Sequence, residues 1–120
     1  MTTPPAHGPS YYVRTLGDTA VVTPLTDLDA TLADHLRDDL MAAAAAHPRV
    51  LVDLQAVKFI DSAALGLLVR ARQEARQHDA AFALIAPSPF VQTVLHTMRL
   101  DRAFVSYPDR ATALGEASTV

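Results

Sequence analysis

The chain has 120 residues, half of them hydrophobic and 19% charged, which is the composition of one compact domain with a single core. Its net charge is −3, and Lys58 is the one lysine among ten basic residues, so the sequence has no basic stripe suited to nucleic acid. The absence of cysteine excludes disulfides, thiol catalysis and thiolate metal sites.

The first ten residues are rich in Pro, Thr and Gly, and we predict that residues 1–10 form a flexible tail. This segment has neither the basic nor the apolar region of a secretory signal. No apolar run in the chain approaches the roughly 18 residues that a membrane span needs. We therefore expect a cytoplasmic protein that is a monomer or a weak homodimer.

The residues after the tail have the pattern of a β-hairpin followed by a helix. Strand formers on both sides of the turn signal at 17–18 predict a hairpin over about 11–23. Leucines at four-residue spacing then predict a helix over about 29–46, with Thr26 or Asp27 as its cap.

The rest of the chain alternates apolar strands with helices. The predicted elements are strands at 50–54, 81–86 and 103–106 and helices at about 62–78, 89–98 and 109–117. This order predicts an α/β fold in a single domain over 11–117. Its mixed β-sheet of four to five strands would begin with the hairpin and pack against about four helices.

A polar pair, Asp61 and Ser62, lies where a buried strand is followed by a helix. Ligands and partners of open α/β sheets bind at that edge. Ser62 has two interpretations. It is either the N-cap of the helix, which is the commoner use of such a serine, or a regulatory phosphoacceptor. A phosphate there would meet free backbone N–H groups and the positive end of the helix dipole.

Gly66 is unusual, because glycine inside a helix costs about 1 kcal/mol relative to alanine. Helical angles place it on one face with Ser62, Ala63 and Arg70, and they place Leu67 at the rim of that face. Either the helix packs closely there against the protein's own chain, or a partner approaches. The calculated direction, away from the sheet, favours a partner.

Asp53 ends the strand at 50–54. Its carboxylate either caps a nearby turn or helix, or acts in function as a phosphoacceptor of the receiver type or as a group near Ser62. A receiver domain also needs an acidic pair after its first strand and a lysine after its last. Neither is found here, since Lys58 is in the wrong place.

Motifs for catalysis, metals and cofactors are missing from the sequence. The five histidines have no HxxxH or HxH spacing, so no metal site is predicted. The sequence has no nucleophile elbow, no phosphate-binding glycine loop and no dinucleotide fingerprint. We therefore expect a protein that is not an enzyme and that needs no cofactor.

The segment 50–75 resembles the STAS domain, the fold of bacterial anti-sigma factor antagonists. That family's signature is a strand ending in Asp, a short loop with a buried apolar pair, and Asp-Ser-(Ser/Thr)-Gly-Leu-Gly at the start of a helix. The matching positions are Asp53, Phe59, Ile60, Asp61, Ser62, Leu65 and Gly66. The order of strands and helices also agrees over 11–117.

The resemblance implies a binding module in sigma-factor-dependent transcription, with Ser62 as its phosphoacceptor. An anti-sigma factor that is itself a serine kinase would bind the unphosphorylated chain, phosphorylate Ser62 and be released. A metal-dependent serine phosphatase would restore binding. The implied partner-binding residues are Asp61, Ala63, Gly66, Leu67 and Arg70, with Asp53 as a supporting residue.

Two positions depart from the family signature. Ala63 replaces the second hydroxyl residue and Ala64 replaces the first glycine. These departures leave open an alternative, a STAS scaffold or accessory subunit that is not phosphorylated and that serves a stress-signalling or transport assembly. The remaining alternative is a small nucleotide-binding or receiver-like domain.

Overall fold

A computed structural model describes residues 7–8 and 10–118 of the chain. Most of the predicted tail therefore lies outside the described residues. The part that is described departs from the prediction, because His7–Gly8 form a short strand that pairs with Tyr12 and Tyr11.

The described residues form one six-stranded sheet and four helices. The strands are β1 (His7–Gly8), β2 (Tyr11–Leu16), β3 (Thr19–Pro24), β4 (Arg49–Asp53), β5 (Ala81–Ile85) and β6 (Val105–Tyr107). The helices are α1 (Ala30–Ala46), α2 (Ser62–Gln77), α3 (Pro89–Thr97) and α4 (Arg110–Ser118). The predicted mixed sheet with its hairpin and four helices is confirmed, and the two-residue β1 adds a strand to the predicted four to five.

The strands lie in the sheet in the order in which they occur in the chain. The first three are antiparallel neighbours, and β3 through β6 are parallel neighbours. Each of α1, α2 and α3 connects one parallel strand to the next in the same direction. Right-handed crossovers of this kind place all three helices on one face of the sheet, which leaves the other face to α4.

Two apolar cores follow from this arrangement. The larger lies between the sheet and α1, α2 and α3, and it includes Leu32, Leu36, Leu40, Val50, Val52, Leu65, Leu68 and Leu95. The smaller lies beneath α4 and consists of Val21, Leu51, Ala83, Ile85 and Ala113. Because successive side chains of a strand point to opposite faces, Asp53 shares the α4 face with Leu51.

The start of α1 corrects the sequence prediction. Its N-cap is Asp29, whose side chain accepts from the Leu32 N–H at 2.9 Å. Thr26 and Asp27 lie too early because Leu28, between them and the helix, is held in extended backbone by a parallel bridge to Ile60. The helix therefore begins only after this bridge.

Candidate functional site

The segment 54–61, between β4 and α2, is joined to the start of α1. The Leu28 N–H donates to the Phe59 carbonyl at 3.1 Å, and the Asp61 N–H donates to the Leu28 carbonyl at 3.2 Å. The Asp27 carboxylate accepts from the N–H groups of Lys58 and Phe59 at 2.9 and 3.2 Å. These bonds fix the backbone that leads into α2.

Asp61, not Ser62, is the N-cap of α2. Its backbone is extended, and its Oδ1 accepts from the Ala64 N–H at 2.9 Å. Its Oδ2 accepts from the Ala30 N–H, the first residue of α1, at 2.8 Å. One carboxylate thus satisfies backbone donors at the starts of two helices. The interpretation of Ser62 as the cap is wrong. The sequence left the choice of cap ambiguous, because Asp and Ser are both favoured N-cap residues.

Ser62 is the first residue of α2, and it is exposed. Within the described part of the chain its hydroxyl makes no hydrogen bond, since the capping bond is made by Asp61. An exposed hydroxyl with no internal partner, at the positive end of a helix dipole, is open to modification. Its role as a phosphoacceptor stays a prediction.

The outward-facing residues of α2 form a surface that we call the outer face: Ser62, Ala63, Gly66 and Arg70. Ser62, Ala63 and Arg70 are exposed and Gly66 is half-buried. The placement of Leu67 at the rim of this face is wrong, because its side chain is 1% exposed and belongs to the larger core. Since α2 packs against α1 as well as the sheet, its buried surface is wider than the sheet alone would require.

Gly66 has no packing partner that would require a glycine. A Cβ built at this position meets no atom within 4 Å outside the helix's own neighbouring backbone. The interpretation of close packing against the protein's own chain is therefore wrong for the described residues. The missing side chain leaves the outer face flat without making room for any part of this domain.

We expect Gly66→Ala to raise the free energy of unfolding by about 1 kcal/mol, because alanine is favoured in a helix interior and the new methyl group meets open space. Urea unfolding followed by circular dichroism measures the change. Gly17→Ala is the matched control, since that site is equally open but has a φ of +62°. It should lose about 1–2 kcal/mol. A destabilised Gly66→Ala protein would contradict this view of the outer face.

Asp53 lies at the carboxyl end of β4 in a buried polar cluster. The Arg110 guanidinium, at the first position of α4, donates to its Oδ2 from Nη2 at 2.7 Å and from Nε at 3.1 Å. Its Oδ1 accepts from the Gln55 N–H at 3.0 Å, which confirms that it caps the turn after β4. Arg110 Nη2 also reaches Thr23 Oγ1 at 3.0 Å and the Tyr12 hydroxyl at 3.4 Å. The hydrogen bond from Arg110 lowers the pKa of Tyr12.

These contacts correct the functional interpretations of Asp53. Its side chain is only 4% exposed and both of its oxygens are engaged, so it is not placed as a phosphoacceptor of the receiver type. It also lies on the α4 face, whereas α2 and Ser62 belong to the opposite layer. It supports the attachment of α4, not Ser62. The sequence did not identify Arg110 as the partner of Asp53, because any of the nine arginines could pair with this one buried carboxylate.

Of the predicted buried pair, Phe59 and Ile60, only Ile60 is buried. Ile60 lies in the larger core, whereas Phe59 is 53% exposed and meets the edge of Phe90 with ring centroids 5.0 Å apart. The Ser88 hydroxyl, which caps α3, donates to the Lys58 carbonyl at 2.9 Å. The segment 54–61 is thus held against the starts of α1 and α3, and it exposes the Phe59 ring three residues before Ser62.

Two kinds of feature are missing from the described part of the chain. None of its helices combines the length and the apolar character that crossing a membrane requires. No group of three or more metal-ligating His, Asp or Glu side chains lies together among the described residues.

Comparison with known proteins agrees with this architecture. The family model of the STAS domain matches residues 11–113. An anti-sigma-factor antagonist (STAS) domain protein from Planctomyces limnophilus is 27% identical, with a TM-score of 0.81 over 91% of this chain and 98% of that one. An anti-sigma factor antagonist from Mycobacterium paratuberculosis is 25% identical, with a TM-score of 0.79 over 93% and 98%. Phosphorylated SpoIIAA, a Bacillus cell fate determinant, is 18% identical, with a TM-score of 0.74 over 89% and 98%. The family match extends from β2 into α4 along the fold described above, so this chain belongs to the STAS domain family.

Proposed function

We propose that this chain is an anti-sigma factor antagonist whose binding is controlled at Ser62. The unphosphorylated chain binds an anti-sigma factor that is also a serine kinase, and phosphorylation of Ser62 releases it. The observation that carries the proposal is the Ser62 hydroxyl at the first position of α2, which is exposed and makes no hydrogen bond to any of the residues that the structure describes. The neighbours at 27% and 25% identity, both described as anti-sigma factor antagonists, support the proposal.

Phosphorylation would change the charge of this surface without breaking the fold. The Ser62 hydroxyl takes no part in capping, so its modification removes no internal bond. A phosphate adds about −1.5 to −2 charges, and the start of α2 favours negative charge. It would lie next to the Asp61 carboxylate, so a partner that approaches the outer face meets concentrated negative charge.

The chain itself supplies only the acceptor in this cycle. The kinase transfers the γ-phosphoryl group of ATP to Ser62 Oγ, with release of ADP and of the hydroxyl proton. A serine phosphatase hydrolyses the phosphoester and restores the hydroxyl. Because the kinase requires ATP, we propose that both proteins act in the cytoplasm. Ala63, exposed where the family has a second hydroxyl residue, leaves Ser62 as the sole acceptor in the motif.

The test compares single substitutions as affinity baits in extracts of the protein's own cells. Wild type and Ser62→Ala should capture the same anti-sigma factor, and Ser62→Asp should lose it. Ser106→Asp is the matched control, because it adds the same charge at an exposed serine on β6. Mass spectrometry of the native protein, with and without stress, should find a phosphoryl group on Ser62 whose occupancy changes.

Equal capture by Ser62→Ala and Ser62→Asp, together with unmodified Ser62 under every condition, would contradict phosphorylation control. That result would favour the STAS scaffold or accessory subunit that binds constitutively. The departures at Ala63 and Ala64 are the sequence feature that fits this second function.

A further inference from the structure

Two exposed aromatic side chains lie side by side, and one of them, Phe59, precedes Ser62 by three residues. Phe59 and Phe90 are 53% and 44% exposed, and their rings meet edge to face at 75°. The other aromatic residues of the described chain are buried or half-buried: Tyr11, Tyr12, Phe82, Phe104 and Tyr107. Among the described aromatic side chains, only Phe59 and Phe90 are exposed, and their two rings are in contact. Aromatic residues placed in this way are enriched at the centres of protein interfaces.

The aromatic pair is held in place before any partner arrives. The Asp27 carboxylate accepts from the backbone N–H of Phe59 at 3.2 Å. On the other side, Ser88 bonds the Lys58 carbonyl and accepts from the Val91 N–H at 3.2 Å, which fixes the turn of α3 that carries Phe90. A side chain presented on a fixed backbone loses less freedom on binding, so its buried area is converted more fully into affinity.

The aromatic pair lies within reach of a partner that docks on the outer face of α2. Phe59 precedes Ser62 by three residues, so their Cα atoms lie at most about 11 Å apart. A stable interface covers about 800 Å² on each partner, which is a patch about 30 Å across. A protein that docks on Ser62 is therefore wide enough to reach Phe59.

Unpaired positive charges border the same region. Lys58 and Arg70 are exposed, and neither forms an ion pair with a carboxylate in the described part of the chain. The same region also holds the carboxylates of Asp27, which accepts from the N–H groups of Lys58 and Phe59, and of Asp61, so it carries charges of both signs. Lys58 and Arg70 can each meet a carboxylate of a partner, and a phosphate on Ser62 would repel those same carboxylates.

We infer that the Phe59–Phe90 pair is a second anchor for the partner that docks at Ser62, and that it fits an apolar recess with an acidic rim on that partner. This inference rests on the proposed function. The anchor supplies affinity that does not depend on the state of Ser62. A phosphate on Ser62 repels the acidic rim of the partner. Release therefore follows from this repulsion and needs no movement of the aromatic rings.

The experiment measures the Kd of the purified chain for the purified anti-sigma factor that wild type captures and Ser62→Asp does not. Phe59→Ala and Phe90→Ala should each bind at least about tenfold more weakly. Leu16→Ala is the matched control, since Leu16 is 38% exposed beside the hairpin turn, at the opposite end of the sheet from the segment 54–61, and it should bind like wild type. Lys58→Glu and Arg70→Glu should also weaken binding, by slowing association. Thermal melts verify that each variant is folded.

Wild-type affinity in both phenylalanine variants would overturn the inference, while the Ser62 comparison would still support the proposed function. A captured protein that binds wild type and Ser62→Asp equally would overturn the proposed function instead. In that case, weaker binding of the two phenylalanine variants to the same protein would still identify the aromatic pair as its anchor.

Discussion

Arg110→Ala is expected to lower the free energy of unfolding by about 3 kcal/mol. The substitution removes both guanidinium hydrogen bonds to Asp53 and leaves a carboxylate whose side chain is 4% exposed without its cation. A buried charge without a partner is among the most destabilising changes known for single substitutions. The substitution also removes the bonds from Arg110 to Thr23 on β3 and to Tyr12 on β2, and it leaves α4 the hydrogen bond from Arg49 on β4 to the Ala113 carbonyl.

Urea unfolding of the variants measures this loss. Arg102→Ala is the matched control, because Arg102 is exposed and forms no ion pair among the described residues, and it should stay close to wild type. The double substitution of Asp53 and Arg110 by alanine should cost clearly less than the sum of the two single ones, because the unpaired charge is gone. Additive single effects, or a loss below about 1 kcal/mol for Arg110→Ala, would show that the pair does not hold α4.

Asp61→Ala is expected to lower the free energy of unfolding by about 2 kcal/mol. Loss of one N-cap costs about 1 kcal/mol, and this carboxylate accepts from backbone donors of two helices, at Ala64 of α2 and at Ala30 of α1. Its loss leaves both donors without their side-chain partner and loosens the junction that presents Ser62. The same variant should therefore bind the partner more weakly even where it remains folded.

Two further variants separate the two roles of Asp61. Asp29→Ala removes an ordinary cap, the bond to Leu32, and should cost about 1 kcal/mol. Asp61→Asn keeps one carbonyl oxygen as an acceptor and should fall between Asp61→Ala and wild type. All are compared by urea unfolding at one pH. If Asp61→Ala costs no more than Asp29→Ala, the bond from Ala30 to Asp61 adds nothing to stability.

Much of the site was accessible from the sequence because its signal is local. An apolar strand followed by Asp61-Ser62 and a helical pattern places the pair at the start of the helix after that strand, and the structure has it there, at the start of α2. The sequence alone did not show which of the two residues is the N-cap of α2. Asp61 and Ser62 are both good caps, and Asp61 is selected because its second oxygen also reaches Ala30, 31 residues away in the chain.

The predicted docking residues divide in the same way, into those that a local pattern places correctly and those whose position depends on a neighbouring element. Ala63 and Arg70 are exposed as the helical angles predict. Leu67 is buried because α1 lies beside α2, and the period of one helix carries no information about its neighbour. Phe59 was expected to be buried with Ile60, but it instead pairs with Phe90 at the surface, across 31 positions of sequence.

The sequence by itself determined the order of strands and helices, the α/β class of the fold and the place of Ser62 at the start of α2, since turn residues and apolar periodicity act over a few neighbours. Only the tertiary structure decided which charges pair and which apolar side chains stay exposed. Asp53 and Arg110 are 57 residues apart, and they meet because β4 ends beneath the first turn of α4. Contacts of that kind depend on how the layers pack, which no local pattern of residues specifies.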